Sequence, residues 1–524
     1  MKSLVFTLAC AATLAVTLAA ADKPTPRQKA RELLESAAEM AAATKPDVQP
    51  AVLYHLAENY QDFDKKKAIE FFRQAFTAAA TPPVSPSPFA SSMQVEVVVA
   101  LAGMDSAEAI AMLKRMEPAA SGYDYRTFAA SRLIGTLVAK GQIQQSLDLA
   151  EYLGSSGAYP FDGIGLVLSK LPEGDERIPA VFSSALTAFT VKPDDGFYDA
   201  LTRHWKQLPA GMAKTALDRV LSSILGRSSD QPYRTRTLSS SKGNASFSTR
   251  LEADLFDVAP LVRELDPKRY EELLADHLEL RSALQLFPGG GPSIQDERGV
   301  TIYTVGSDAK AGDAEARRSA DALNNRMKTA ALINSRVETA LAALAKDPDK
   351  ALDLVADIPS PPQQAIVIAR IAQSVGENDA TKARKVLSRS IGMLEDIKYP
   401  EDRIAAWDAV AGVAVVIKDE PTLQRAIDNM LDDAAALYKE DSDGDKPNRA
   451  WMENWPSTQA YRRAIFRAVK LLSVDATPLL EKIPETNQNV LARIAMAQAL
   501  LERDLGRLQT YGGRRRPEQT STGR

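Results

Sequence analysis

The chain has 524 residues, of which 45% are hydrophobic and 25% charged, and a formal net charge of −4. That balance builds packed cores, and at this length usually more than one. Basic residues are scattered apart from Arg514-Arg515-Arg516, so the concentrated cationic face that nucleic-acid binding requires is missing.

The chain opens Met1-Lys2-Ser3, continues without charge from Leu4 to Leu18, and reaches Ala19-Ala20-Ala21-Asp22. A short positive start, an apolar run and a small-x-small site predict a signal peptide over 1–21. The run is short for a membrane span, which needs about 20 apolar residues. The single cysteine, Cys10, falls inside that peptide, so the mature chain has no disulfide or thiolate chemistry. The expected location is periplasmic or extracellular, by a bacterial route, since a eukaryotic secreted chain of this size more often carries disulfides. No later apolar stretch is long enough to span a bilayer.

From Arg27 onward, apolar residues recur at helical spacing in Ala- and Leu-rich segments, interrupted by Pro, Gly and Asp. Predicted helices include 27–44, 51–63, 65–79, 107–116, 123–140 and 143–153. Further along come 194–208, 212–225, 267–286, 314–345, 362–374, 381–397, 403–417, 421–438, 459–472 and 487–505. The fold class is all-α. Gly226–Thr249, dense in Ser, Thr and Arg, reads as a mobile loop. Val300–Val305 reads as a short strand of a β-hairpin inside a linker, Phe287–Gly312, that contains Pro288-Gly289-Gly290-Gly291-Pro292. The expected organisation is a helical array over 22–286, the linker over 287–312, a second array over 313–505 and a disordered tail over 506–524.

One pattern recurs. An aliphatic residue, a small residue and a larger residue three on are followed by a second helix marked by a small residue. Its four occurrences begin at Leu56-Ala57, Ile134-Gly135, Ile371-Ala372 and Val413-Ala414, with second-helix markers Ala68, Ser146, Ala383 and Ala426. A small residue on each helix lets two antiparallel helices approach closely. Ala57 and Gly135 are 78 positions apart, twice 39, and Ala372 and Ala414 are 42 apart. A further echo, Ala369-Arg370-Ile371-Ala372 against Ala492-Arg493-Ile494-Ala495, is 123 positions apart, three times 41. The expected architecture is an α-solenoid of helix hairpins with a period of about 40, against a non-repetitive helical fold such as an α/α toroid.

Leu56-Ala57-x-x-Tyr60 followed by Ala68, Phe72 and Ala75 resembles the tetratricopeptide repeat, one residue short in the turn. The other units keep the spacing and lose the aromatics, so the resemblance is to the broad class of tetratricopeptide-like α-solenoids. In that class the first helix of each hairpin lines a concave face. The resemblance thereby implies a ligand face carrying Tyr54, Glu58, Arg132 and Thr136, with the corresponding C-terminal pairs Ala369/Gln373 and Ala411/Val415 packed or self-associating.

Residues that suggest chemistry are few. His55, His204 and His277 share no HExxH or HxH spacing, so no local zinc site is expected and the three read as packing residues. Asp441-Ser442-Asp443-Gly444-Asp445 resembles a calcium loop, but its glycine is at the fourth position and Met452 stands where a bidentate Glu is needed. Ser239-Ser240-Ser241-Lys242 matches SxxK within a Ser-rich loop rather than at a helix start. Trp451 and Trp455 could stack a sugar or peptide, or plug a hydrophobic junction. No cofactor, metal or catalytic constellation is predicted. The leading reading is an envelope binding or scaffold module for peptides or proteins, against a glycan-acting helical-toroid enzyme and against a purely structural element of an envelope complex.

Overall fold

The computed structural model describes residues 24–81, 88–118, 124–227, 235–240, 243–296, 301–305, 314–442 and 455–505. The expected signal peptide, the tail over 506–524, Lys242, Gly444, Trp451 and Met452 lie outside them. The first helices are α1 (Pro26–Ala41), α2 (Gln49–Tyr60), α3 (Lys65–Ala80), α4 (Pro88–Met104), α5 (Ser106–Arg115), α6 (Tyr125–Ala139) and α7 (Ile143–Gly154). They are followed by α8 (Phe161–Leu168), α9 (Arg177–Val191), α10 (Asp195–His204) and α11 (Ala210–Leu225). Strands β1 (Thr235–Ser240) and β2 (Gly243–Phe247) precede α12 (Arg250–Leu265), α13 (Pro267–Asp276), α14 (Leu278–Leu286), α15 (Gly290–Asp296) and β3 (Thr301–Val305). Then come α16 (Ala314–Leu344), α17 (Pro348–Val355), α18 (Pro361–Gly376), α19 (Ala380–Leu394) and α20 (Pro400–Val416). The last are α21 (Glu420–Asp441), α22 (Pro456–Leu472) and α23 (Thr486–Leu500). Among the described residues the fold is all-α apart from one small sheet.

Aspartate punctuates the helices for a local reason. Asp64, Asp105, Asp347, Asp379 and Asp419 each stand just before a helix and accept from one or two of its first backbone N–H groups. Each such cap contributes about 0.5–2 kcal/mol. Thr25 and Gln28 form a reciprocal capping box at the start of α1. Gly141 and Lys418 both adopt left-handed backbone after their helices, at φ 74° and 52°. The residue following each closes the same long-range turn, Gln142 N to Leu137 O and Asp419 N to Ala414 O.

The four sequence units correspond to the neighbouring pairs α2/α3, α6/α7, α18/α19 and α20/α21, each packed together. Ala57, Ala68, Ser146, Ala372, Ala383, Ala414 and Ala426 are all 0% exposed, as small residues at close helix contacts should be.

Contacts divide the chain into two compact units, 1–93 with 328–524, and 94–327. This grouping differs from the expected division at 287–312. The residues of α15 and β3, expected to be linker, belong to the second unit. The first unit is assembled from both halves of the chain. Contacts run α18–α20–α22, with α19 and α21 as their partners, then from α22 to α23, α1, α2 and α3. Helix α23 is buried along nearly its whole length. It docks α1 through Arg493 Nη1 to Ser36 Oγ (3.4 Å), and the turn after α1 through Lys45 N to Asn487 Oδ1 (3.1 Å). Left-handed Glu502, at φ 58°, ends α23 and directs Arg503 back to α2. Its Nη1 donates to Glu58 O at 2.6 Å and its Nη2 pairs with Asp62 at 2.7 Å.

In the second unit the segment expected to be a mobile loop, 226–249, contains β1 and β2. They pair antiparallel with Leu238 opposite Ala245, and β3 adds to the other side of β1 with Ile302 opposite Leu238. The three-stranded order is β2-β1-β3, so the strand read near 300–305 exists but pairs with a distant hairpin. Leu238, Ala245 and Phe247 are buried, and Phe247 packs on Phe256 of α12 at 5.0 Å. Ser and Thr on the other face disguised this alternation. The predicted helix over 267–286 breaks at His277, whose backbone is extended. The Glu252 carboxylate meets His277 Nδ1 at 3.0 Å and accepts from Leu280 N at 3.0 Å, capping α14 from another helix. Among the described residues no helix is long and apolar enough to cross a membrane.

Candidate functional site

The four residues expected to form a ligand face fall in different units. In the first, Tyr54 is 7% exposed, and its ring meets Phe72 edge-on at 5.7 Å and His55 at 5.5 Å, so it is core. Glu58 is half-buried, 3.1 Å from His55 Nδ1, while its carbonyl receives Arg503. In the second, Arg132 faces Glu96 at 3.6 Å, and Thr136 Oγ1 turns back to Arg132 O at 3.4 Å. All four are occupied by interactions within their own units.

The first unit instead presents a groove one column away on α2. A cavity of about 460 Å³ lies over Gln49 and Leu53, between the end of α1 and the outer face of α3. Leu53, Phe71 and the Ala38/Ala41 stripe give it an apolar floor, and Glu70, Gln74 and Thr77 a polar rim. Gln49 Nε2 donates to Ala41 O, joining α2 to the end of α1, and Gln74 Nε2 donates to Glu70 Oε1 at 3.2 Å within α3. Gln49 and Leu53 are four apart on α2, as are Tyr54 and Glu58.

The second unit holds a polar centre where α10, the end of α11 and α12 meet. Asp254 is 5% exposed. Arg227 Nη1 donates to its carboxylate, Arg250 Nε lies 3.5 Å away, and Arg227 Nη2 donates to Tyr198 Oη at 2.7 Å. Arg250 also reaches Asp195 at 2.8 Å, and Arg236 on β1 bonds both oxygens of Asp257 at 3.2 and 3.0 Å. Burial, and next the nearby Asp195, push the Asp254 carboxyl up to about 6 against the pull of the two arginines. Burial likewise raises the Tyr198 phenol to about 12. The centre ties β1 and the segment after α11 to α10 and α12; its donors and acceptors are spent on one another. Sequence reading missed it because the local pairs Asp195/Tyr198 and Arg250/Asp254 are joined only through Arg227 from a third segment of the chain.

A second cavity, of about 550 Å³, lies in the same unit between the end of α7, the turn into α8 and one face of α9. Tyr159 forms part of its wall. Burial pushes that phenol up to about 12, and its hydroxyl is hydrogen-bonded to Ser184. Asp194 lines the same cavity and caps α10 by accepting from Gly196 N at 2.9 Å.

Described residues of the remaining sequence motifs have structural partners. Asp441 is buried and accepts from Ser457 N and Oγ at 3.1 and 2.6 Å, anchoring the start of α22. Trp455 stands just before that helix with its ring 6.4 Å from Tyr438. His55 is fully buried, and His204 meets Ser169 Oγ at 3.4 Å. No protein-family model, curated protein or solved structure matches the chain.

Proposed function

We propose that the protein is an exported tetratricopeptide-like α-solenoid that acts as a binding or scaffold module in the bacterial envelope. The arrangement of the first unit supports this reading. There the first helices of successive pairs, α18, α20 and α22, pack on one another as well as on their partners, and the series continues through α23 into α1–α3. Side-by-side stacking of helix pairs is how a solenoid buries apolar faces that no pair can bury alone. The observation that carries the function is the α1–α3 groove, with its apolar floor and polar rim on three helices. An amphipathic protein segment fits such a surface, its apolar side against Leu53 and Phe71 and its polar side toward Glu70, Gln74 and Thr77.

A photo-crosslinking residue at exposed Gln74 tests the groove in the producing cell, with exposed Lys214 in the second unit as the control position. A discrete protein adduct from position 74 is expected, and it should disappear when Thr77→Arg fills the groove. Identical adducts from both positions, or none from 74, would refute the proposal. Export has its own readout. The intact mass of the cell-derived protein should place the first residue at or near Asp22, and a chain still carrying Met1 would contradict it.

A further inference from the structure

We infer that the cavity between α7, α8 and α9 binds a short peptide by its two charged termini. This site is independent of the α1–α3 groove. Its volume, about 550 Å³, falls within the roughly 300–1,000 Å³ typical of small-ligand pockets. Glu151, at the end of α7, and Lys192, just past α9, bring opposite charges to one cavity. Neither forms an ion pair among the described residues. The charge of Lys192 does act on Asp124, at the start of α6.

The same lining includes Ser183 and Thr187 of α9 alongside Ala180 and Ala188. The Thr187 hydroxyl donates to Ser183 O at 2.8 Å and so offers its acceptor lone pair to a peptide N–H, while the Ser183 hydroxyl can donate to a peptide C=O. The alanines and Val191 leave room for small side chains. Val191 is 79% exposed at the rim, an apolar side chain that a ligand would cover. A simple anion is disfavoured by Glu151 and Asp194, which line the same cavity as the lysine. A neutral sugar needs open aromatic faces, whereas Tyr159 and Phe161 are each 5% exposed. A ligand with an ammonium at one end and a carboxylate at the other answers both charges without requiring either ring face.

Calorimetric titration of the full mature chain tests this with trialanine, N-acetyl-trialanine, trialanine amide and the neutral disaccharide sucrose. Trialanine is expected to bind, and blocking either end to weaken it by roughly tenfold or more. Glu151→Gln should remove the difference between free and acetylated peptide while keeping the preference for the free carboxylate. Lys192→Met should do the reverse. Both side chains are exposed, so both variants should keep the parent's helical circular dichroism. Absence of trialanine binding, equal binding of the blocked peptides, binding of sucrose alone, or loss of both preferences in either single variant would each overturn the assignment.

Discussion

Phe197→Ala is expected to lower the unfolding free energy by about 3–5 kcal/mol, the usual cost of deleting a fully buried phenyl ring from a core. Phe197 is 0% exposed on α10, stacked on Phe189 of α9 at 4.8 Å. It also meets Phe161 of α8 at 5.9 Å and Phe182 of α9 at 6.4 Å. Two helices besides its own converge on the ring, so the surroundings cannot close over the hole without moving a helix. Phe161 and α9 also wall the peptide cavity, so the same variant should bind trialanine more weakly. Urea unfolding followed by helical circular dichroism measures the loss. A loss under about 1 kcal/mol would mean that the site collapses freely and that the rings do not fix the helix positions.

A second large effect is expected from pH. The Asp254 carboxyl is held at about 6 in the fold against an ordinary 3.8. Between those values the folded chain binds more protons than the unfolded one, so stability falls as pH rises. The favourable contribution is complete below about 3.8 and is lost as pH passes about 6. The gap corresponds to about 3 kcal/mol. Asp254→Asn retains the shape and cannot titrate. Relative to that variant, the wild type should lose up to about 3 kcal/mol between acid and neutral pH, read from urea midpoints across a pH series. A wild type that gains stability over that range would show that Arg227 and Arg250 outweigh burial at Asp254.

Periodicity and capping chemistry made most helices legible in the sequence, because Asp, Thr and Pro act on their own first turn. The long helix expected over 314–345 is α16, and the paired helices at Ala57, Ile134, Ala372 and Ala414 all formed. Helices with unhelical compositions escaped notice. Helix α4 carries Val95, Val97, Val98 and Val99, α9 is rich in Phe and Thr, and α12 contains Pro260. Their burial decides their structure where propensity is indifferent. The break at His277 was illegible because the group that stabilises it, Glu252, comes from another helix.

The candidate sites were harder to read. A spacing of four on α2 is satisfied equally by the pair Tyr54/Glu58, buried and half-buried, and by the groove pair Gln49/Leu53. Only the packing of α1 and α3 selects between them. Glu151 and Lys192 share a cavity because of how α7 and α9 pack, and nothing local in the sequence relates them.

The first unit's dependence on both chain ends has a temporal consequence. During synthesis α1–α3 emerge first, yet their docking surface, α23, is translated more than four hundred residues later. At about 5–20 residues per second, that interval lasts roughly 20–90 seconds. Residues 94–327 form a contiguous stretch and can complete their own core within it. The exposed faces of Leu33, Leu34 and Ala37 on α1, buried in the finished protein, must meanwhile be kept from aggregation. Any truncation before residue 486 therefore removes more than a terminal helix, because it strands the beginning of the chain without a surface to fold against.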